Sequence, residues 1–141
     1  MGARLETLLL YTDGASRHNP GDSAICFRIL SPERLVLTEH AERIGRATNN
    51  QAEYRALIAG LEASAGWTSG TVQCRSDSQL MVRQMRGEYR VKDELLRPLW
   101  DRAQQLTIQF GCVEFAHVLR TDPDIVRADQ LANQALDSGA C

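Results

Sequence analysis

Residues 7–14 read TLLLYTDG, an apolar run of strand length that is followed by an Asp-Gly pair. A short apolar run bounded by a turn signal is typical of a strand buried on both faces. We therefore predict a central β-strand over Thr7–Thr12 that ends at Asp13. The rest of the fold is built outward from this strand.

The two segments that follow predict strands lying beside the first one. Asn19-Pro20-Gly21 predicts a turn. Residues 24–30 (AICFRIL) and 35–44 (LVLTEHAERI) then have strand character, and a second turn at 31–34 joins them. We expect an antiparallel hairpin or meander packed on the first strand.

From Ala52 onward the apolar residues recur at helical spacing, which predicts a helix. Its start is marked by Thr48 and Gln51, whose spacing fits a capping box. The later segments alternate between strand and helix patterns. They predict a strand at 71–76, a helix capped at Asp77-Ser78, a helix over about 93–106, a strand over about 113–118 and a helix over about 128–136.

This order of elements predicts an α/β domain with a five-stranded mixed sheet flanked by helices. Three antiparallel strands come first, and two further strands return in parallel through helical crossovers. In such sheets, functional residues collect where strands end and helices begin. Pro98 lies inside the predicted helix over 93–106 and should kink it or delay its start.

The composition is that of one compact domain. The 141 residues are 43% hydrophobic and 24% charged, so we expect a single domain over residues 1–141. A chain of this length needs no metal ion to hold its fold, and any metal site is expected to be catalytic.

No run approaches the ~18 apolar residues that span a bilayer, and the N-terminus lacks a signal-peptide cleavage pattern. We expect a cytoplasmic protein with no membrane partner.

The four cysteines do not form a pattern that binds zinc or exchanges disulfides. They are widely spaced and include no CxxC pair. We expect them to be buried free thiols. They are Cys26, Cys74, Cys112 and Cys141.

The formal net charge of −2 is unusual for a protein that binds nucleic acid, because phosphate contacts require a positive surface. Clustered carboxylates that are neutralised only by bound metal would make this count misleading. A local basic run offers phosphate contacts, although a solvated helix face is an equally ordinary explanation for it. The run contains Arg83, Arg86, Arg90, Lys92 and Arg97.

Four acidic residues stand at the ends of predicted elements. Asp13 and Asp77 end strands, whereas Glu53 and Asp129 lie in the first turns of helices. Taken singly, each is explained by helix capping, by the helix dipole or by a turn. Taken together, they are brought to one region by the parallel crossovers of the predicted sheet.

Four neighbouring carboxylates repel one another, and protonation or divalent cations relieve the repulsion. Ligand sets made only of oxygen select hard cations, so Mg²⁺ or Mn²⁺ is expected rather than zinc. Two such ions about 3.5 to 4 Å apart can clamp a phosphodiester. The carboxylates therefore predict phosphodiester hydrolysis.

Four segments resemble, in order and spacing, the signature blocks of type 1 ribonuclease H: 11–21, 46–63, 74–92 and 127–135. The resemblance covers nearly the whole chain. It implies a ribonuclease H-like fold and an endonuclease that hydrolyses the RNA strand of RNA–DNA hybrids by a two-metal-ion mechanism, giving 5′-phosphate and 3′-hydroxyl ends. It further implies Mg²⁺ as cofactor, with Mn²⁺ as a substitute. We expect a monomer without an obligate protein partner. The metal-binding catalytic residues would be Asp13, Glu53, Asp77 and Asp129.

The resemblance also implies a set of substrate-binding residues. Arg46, Thr48 and Asn49 would hold a phosphate or a 2′-hydroxyl of the hybrid. Asn19, Asn49 and Gln79 would line its minor groove. A side-chain amide there can both donate a hydrogen bond to a 2′-hydroxyl and accept one from it. Ordinary structural explanations are a turn for Asn19, helix capping for Thr48 and Asn49, and a solvated helix face for Gln79.

Two departures from the family pattern affect substrate binding and catalysis. The chain lacks the inserted basic helix of some relatives, so its affinity should be weaker and more salt-sensitive, or should depend on the cluster from Arg83 to Lys92. Tyr89 either stacks on the substrate or packs in its loop.

The second departure concerns the loop before the last carboxylate. His117 falls on a strand and is expected to be structural. Arg120 lies near the place of a mobile histidine and is expected to act as an auxiliary catalytic residue by its charge, since it cannot shuttle protons.

Two other functions remain open. A relative with the same fold could act on double-stranded RNA or another nucleic acid, as an exonuclease or as a strand-transfer domain. A non-catalytic module could bind hybrids without cutting them. Such modules usually lose a carboxylate, and none is lost here.

Overall fold

The computed structural model describes residues 4–138. One five-stranded sheet, in the order β3-β2-β1-β4-β5, is covered by helices on both faces. Within the described residues, no helix combines the length and the apolar composition that a membrane crossing requires. The elements are β1 (Thr7–Ser16), β2 (Gly21–Leu30), β3 (Val36–Ala47), α1 (Asn49–Ser64), β4 (Thr71–Ser76), α2 (Gln79–Met85), α3 (Arg97–Thr107), β5 (Cys112–His117) and α4 (Pro123–Ser138).

The predicted sheet is confirmed in both topology and strand direction. β1 pairs antiparallel with β2, and β2 pairs antiparallel with β3. β4 pairs parallel with β1, and β5 pairs parallel with β4. The carboxyl ends of β1, β4 and β5 therefore point to the same edge of the sheet.

β1 is longer than predicted, and the expectation that it ends at Asp13 is wrong. Its parallel pairing with β4 stops at Tyr11, which lies opposite Arg75. Its antiparallel pairing with β2 continues to Ser16, opposite Ser23. Asp13 therefore lies inside the strand but beyond the last parallel pair, where β4 no longer covers that edge.

Alternate residues of β1 face two different cores, as the strand period of two requires. Leu8 and Leu10 pack in the larger core on the side of α1, together with Tyr54. Leu9 and Tyr11 pack on the other side. Asp13 has the same parity as Leu9 and Tyr11, so its side chain leaves the sheet on the face that α4 covers.

The start of α1 is as predicted, but its acidic residue lies deeper than expected. Thr48 is the N-cap, and its hydroxyl accepts from Gln51 N while the Gln51 side chain accepts from Thr48 N, completing the capping box. Glu53 is the fifth residue of α1, so it lies in the second turn rather than the first. Helix capping does not explain a carboxylate at that depth.

α4 begins earlier than predicted, at Pro123 rather than near Ala128. A proline suits the first position of a helix because its missing N–H would have no partner there. The Asp122 carboxylate accepts from Asp124 N and satisfies one free amide of that first turn. Asp129 consequently lies in the second turn of α4, not in its first.

Pro98 delays the third helix rather than kinking it. α3 begins at Arg97, so the proline occupies one of its first two positions, where it breaks no helical hydrogen bond. The preceding residues 93–96 form turns and no α-helix.

The expectation of buried thiols holds for two of the cysteines. Cys26 and Cys74 are buried and free, whereas Cys112 is free and exposed. Cys112 is the first residue of β5, an edge strand of the sheet, which leaves one side of it open to solvent. Cys141 lies outside the described residues.

Candidate active site

A cleft of about 810 Å³ opens at the carboxyl ends of β1 and β4. Its walls come from β1, from the first turns of α1, from the segment that follows β4 and from the loop and helix that follow β5. All four predicted carboxylates line it.

Three of the carboxylates form a tight group. Asp13, Glu53 and Asp77 each place a carboxylate oxygen within 4.8 Å of the other two. Each residue comes from a different part of the fold: β1, α1 and the segment that follows β4. Asp13 is 5% exposed and Glu53 is 9% exposed, so little water reaches two of the three side chains.

The ionisation of this group is strongly perturbed. Burial raises the pKa of Asp13 from 3.8 to about 8, and repulsion from Asp77 and Asp129 adds to the effect. Burial, followed by the charges of Asp13 and Asp77, also raises the pKa of Glu53 well above its ordinary value. Without a cation, the group therefore cannot carry its full negative charge at neutral pH.

Two contacts work in the opposite direction. The backbone N–H of Gly14 donates to Glu53 Oε1 across 2.8 Å and favours the ionised carboxylate. The guanidinium of Arg120 lowers the pKa of both Asp13 and Glu53. Its Nε lies 3.6 Å from Asp77 Oδ2.

Asp129 is the outer member of the set. It is exposed and falls outside the group of three. It is nevertheless close enough to hydrogen-bond Asp13 and to raise the pKa of that residue. The structure thus brings four carboxylates to one cleft, three of them tightly and one at the rim.

Arg120 lies in the loop between β5 and α4, and its side chain is 92% exposed. Apart from Asp77, it has no ion-pair partner among residues 4–138. His117 is the last residue of β5, on the strand as predicted. Its side chain is exposed and forms no hydrogen bond or ion pair within the described range, so no contact supports the structural role expected of it.

The predicted substrate-binding residues lie in and beside the cleft. Asn49 lines it, and the Asn49 N–H donates to Asn19 Oδ1 across 2.9 Å. Thr48 is occupied as the cap of α1. Arg46 is exposed at the end of β3, and Gln79 is exposed at the start of α2; neither is among the residues that line the cleft.

Sequence reasoning missed several polar residues of the cleft, and Asn133 is the most informative of them. Its Nδ2 donates to the backbone oxygen of Asp129 at 3.0 Å and to Asp129 Oδ1 at 3.3 Å. The signal was present in the spacing, since residues four apart on a helix are neighbours.

The fold separates the residues of the basic run into two groups, one close to an acidic side chain and one that lines a cleft. Arg83 and Arg86 lie 3.9 and 3.2 Å from the Glu88 carboxylate, and the Arg83 guanidinium lies over the ring of Tyr89 at 5.3 Å. Arg90 and Lys92 form no ion pair within residues 4–138. They line a second cleft, of about 500 Å³, which we call the basic cleft; its other lining residues are Val91, Arg97 and Trp100.

Comparison with known proteins places the chain in a family. Residues 11–135 match a family model described as reverse transcriptase-like. The chain is 45% identical over 127 residues to ribonuclease HI of Halobacterium salinarum, covering 90% of this chain and 63% of that protein. It is 39% identical over 134 residues to a bifunctional protein of Mycobacterium tuberculosis, covering 94% of this chain and 36% of that protein. The chain therefore spans less than two thirds of the length of these two relatives.

Solved structures agree with the sequence matches. The crystal structure of RNase H1 from H. salinarum superposes with a TM-score of 0.89 at 43% identity, covering 94% of this chain and 98% of that one. LC11-RNase H1, isolated from compost and solved in complex with an RNA/DNA hybrid, superposes with a TM-score of 0.89 at 34% identity, covering 95% and 99%. On these matches and on the sheet described above, the chain belongs to the type 1 ribonuclease H family.

Proposed function

We propose that this chain is a single catalytic domain, over residues 1–141, that hydrolyses the RNA strand of RNA–DNA hybrids as a metal-dependent endonuclease. The observation that carries the proposal is the convergence of Asp13, Glu53 and Asp77, from three separate segments of the chain, to within 4.8 Å in one cleft. The hybrid bound to LC11-RNase H1, a relative with the same fold, supports this choice of substrate.

The residues of the cleft fit a divalent cation. The donor set consists only of carboxylate oxygens, which suits a hard cation such as Mg²⁺, with Mn²⁺ as a substitute. Burial, and after it the repulsion of neighbouring carboxylates, raises the pKa values of Asp13 and Glu53, and a bound cation would offset both effects. Asp13, Glu53 and Asp77 would hold the metal, and Asp129 would complete its site from the rim. When bound, a pair of such ions supplies Lewis-acid activation of water and stabilises the charge of phosphoryl transfer.

The reaction we assign is the hydrolysis of a phosphodiester. A bond forms between the oxygen of water and phosphorus, and the bond from phosphorus to the 3′-oxygen breaks. One proton of the water goes to the leaving oxygen, so the products carry 5′-phosphate and 3′-hydroxyl ends. Arg120 remains charged throughout, and from its place beside Asp77 it would attract the scissile phosphate without moving a proton.

Two amides are oriented to meet the substrate. Asn19 Oδ1 accepts from Asn49 N, and Asn49 Oδ1 accepts from Ser16 N across 3.0 Å. Because backbone donors hold both oxygens, both Nδ2 groups are turned away from these contacts, and neither has a partner within residues 4–138. We propose that they donate to hydroxyl or base acceptors in the minor groove of the hybrid, with Gln79, and that Arg46 and Thr48 contribute to a neighbouring phosphate site.

The test compares the cleavage of an end-labelled RNA–DNA hybrid with that of matched duplex RNA and duplex DNA, in Mg²⁺, Mn²⁺ or chelator. Asp77→Asn should keep the fold and lose nearly all activity, because an amide carries no charge for the metal. Asp101→Asn, at an exposed site on α3, is its matched control. Arg120→Ala should lower kcat/KM by about 10²-fold, the lower end of the loss expected when one donor to the developing charge is removed, because this side chain is exposed.

Each outcome selects one function. Metal-dependent cutting confined to the RNA strand of the hybrid supports the proposal. Preferred cutting of duplex RNA would instead indicate a nuclease for double-stranded RNA, and hybrid binding without cutting would indicate a non-catalytic module. Retained activity in Asp77→Asn would overturn the carboxylate assignment.

A further inference from the structure

A line of polar side chains connects the outer carboxylate to the turn between β1 and β2. Asp129, Asn133 and Asp137 lie four residues apart and share one face of α4. Asn133 Nδ2 donates to Asp129 Oδ1 across 3.3 Å. Arg17, the first residue after β1, donates through one nitrogen, Nη2, to Asn133 Oδ1 at 3.5 Å and to Asp137 Oδ1 at 2.7 Å.

The charges at the two ends allow the Asn133 amide only one favourable orientation. A guanidinium only donates hydrogen bonds, and a carboxylate only accepts them. The amide oxygen must therefore face Arg17, and the amide nitrogen must face Asp129. The Asp129 carbonyl, which accepts from the same nitrogen at 3.0 Å, favours this orientation as well, and Arg17 reinforces it from the oxygen side.

Asp129 needs such a partner more than the other carboxylates do. Asp13 and Glu53 are held by burial, and Glu53 also accepts from the Gly14 N–H. Asp129 is exposed, so packing does not restrict its rotamers. Asn133 supplies the hydrogen bond that limits this freedom from within the same helix.

We propose that Asn133, held by Arg17, is a positioning residue that orients the Asp129 carboxylate toward Asp13 and so completes the metal site. The inference rests on the proposed function, since it assumes that the carboxylates bind metal. Asn133 itself touches neither metal nor substrate in this role. It acts through the carboxylate, as hydrogen-bond partners of metal ligands generally do.

Arg17 also makes a backbone hydrogen bond in the turn between β1 and β2. Its backbone N–H donates to the Asp22 carbonyl across 2.9 Å and closes the turn that carries Asn19. The backbone of Arg17 therefore closes the turn expected to meet the hybrid, while its side chain contacts the amide beside the outer carboxylate.

These interactions contribute little to the stability of the fold. The Arg17 side chain is 42% exposed and its partner Asp137 is 69% exposed, and ion pairs between side chains this exposed add little to stability. Their removal should therefore leave the protein folded. The effect should appear in metal affinity.

The test measures the affinity for Mn²⁺ alone, without substrate, by titration calorimetry. Asn133→Leu should raise the Kd for Mn²⁺ about tenfold, which is typical when a metal ligand is deprived of its hydrogen-bond partner. Gln134→Leu, at the next and exposed position of α4, is the matched control and should leave the Kd unchanged. At saturating metal, Asn133→Leu should recover most of the wild-type rate of hybrid cleavage.

The alternative role of Asn133 gives a different result. Asn133 lines the cleft, so it could instead contact the substrate directly. In that case the KM for the hybrid would rise while the Kd for Mn²⁺ stayed at the wild-type value. That outcome would overturn the proposal.

A second variant tests the line from its other end. Arg17→Gln, at an exposed site, should raise the Kd for Mn²⁺ by a smaller factor, and the double variant should bind no more weakly than Asn133→Leu alone. If Asn133→Leu does not fold, Arg17→Gln decides by itself, because a wild-type Kd in that variant overturns the proposal. Additive effects in the double variant would also overturn it. If the wild type binds no Mn²⁺, the proposed function itself fails.

Discussion

The backbone N–H of Gly14 donates to Glu53 Oε1 across 2.8 Å, and no side chain fits at position 14 beside this hydrogen bond. A Cβ on Gly14 would lie 2.3 Å from the carbonyl carbon of Ala52 and 2.5 Å from the nitrogen of Glu53. Both are backbone atoms of α1 and cannot rotate away. The close approach of β1 to α1, which brings Asp13 and Glu53 together, therefore depends on a glycine.

Gly14→Ala should force β1 and α1 apart. We expect the free energy of unfolding to fall by about 1–3 kcal/mol, the usual cost of overfilling a packed site, and hybrid cleavage to be abolished with it. Gly66→Ala is the control, because its Cβ would make only an ordinary contact of 3.4 Å with the Ala63 oxygen. Urea unfolding and cleavage assays measure both effects, and near-normal activity in Gly14→Ala would contradict the close-approach argument.

The pKa of Asp13 makes the stability of the metal-free protein depend on pH. The folded protein keeps this carboxyl protonated up to a pKa of about 8, whereas in the unfolded chain it ionises near its ordinary value of 3.8. Between these values the unfolded state releases a proton that the folded state retains. The free energy of unfolding should therefore fall as the pH rises from about 4 to about 8.

Thermal melts in chelator and in Mg²⁺ test this prediction. In chelator the Tm should decrease over that pH range, and Mg²⁺ should oppose the decrease because it binds the deprotonated carboxylates. Asp13→Asn should melt at least about 3 °C above the wild type in chelator near pH 8, although it should be inactive. A wild-type Tm that does not change with pH in chelator would show that the fold does not raise the pKa of Asp13.

The sequence predicted the order of elements, the sheet and the set of carboxylates, because each depends on local patterns. The apolar run of β1 and the capping box at Thr48 are such patterns, and both are present in the structure. The depth of Glu53 and Asp129 within their helices was wrong by about one turn, since helix ends are set by caps and prolines whose use the sequence leaves ambiguous.

Interactions between distant residues were not predictable in the same way. The hydrogen bond from Arg17 to Asn133 joins residues 116 positions apart. Its existence depends on how α4 lies against the sheet, which no periodicity in the sequence encodes. The division of the basic run was hidden for a different reason: Glu88 is near in sequence, but the turn after α2, which helical spacing does not predict, brings it against Arg83 and Arg86.

The basic cleft should carry more of the salt dependence of hybrid binding than the paired arginines. Arg90 and Lys92 form no ion pair within residues 4–138, whereas Arg83 and Arg86 are already close to Glu88. Replacing both Arg90 and Lys92 by Gln should weaken binding and reduce the slope of log K against log salt by about one for each phosphate that the variant no longer neutralises.

Fluorescence anisotropy with a labelled hybrid in Ca²⁺, over a range of salt concentrations, measures this slope. The matched control replaces both Arg83 and Arg86 by Gln, which should change the slope less. Equal changes in the two double variants would show that the ion pairs with Glu88 do not divide the run.

Asp124 should be the most costly charge to remove outside the active site. Its carboxylate, in the first turn of α4, accepts from Arg28 Nη1 across 2.5 Å and from Arg34. The side chains of Asp124 and Arg28 are only 12% and 9% exposed, so removing the aspartate leaves a buried guanidinium with Glu39 as its remaining acidic partner. We expect Asp124→Ala to lower the free energy of unfolding by about 3–5 kcal/mol.

Two further variants separate the effect of charge balance from the effect of packing. Glu62→Ala removes the partner of Arg102 from a half-exposed pair and should cost no more than about 1 kcal/mol. The double variant Arg28→Met with Asp124→Leu replaces the buried pair by apolar side chains and should recover much of the stability that Asp124→Ala removes, because no buried charge is left without a partner. Urea unfolding measures all three. If the double variant is no more stable than Asp124→Ala, the destabilisation comes from packing at the start of α4, and the uncompensated charge of Arg28 is not its cause.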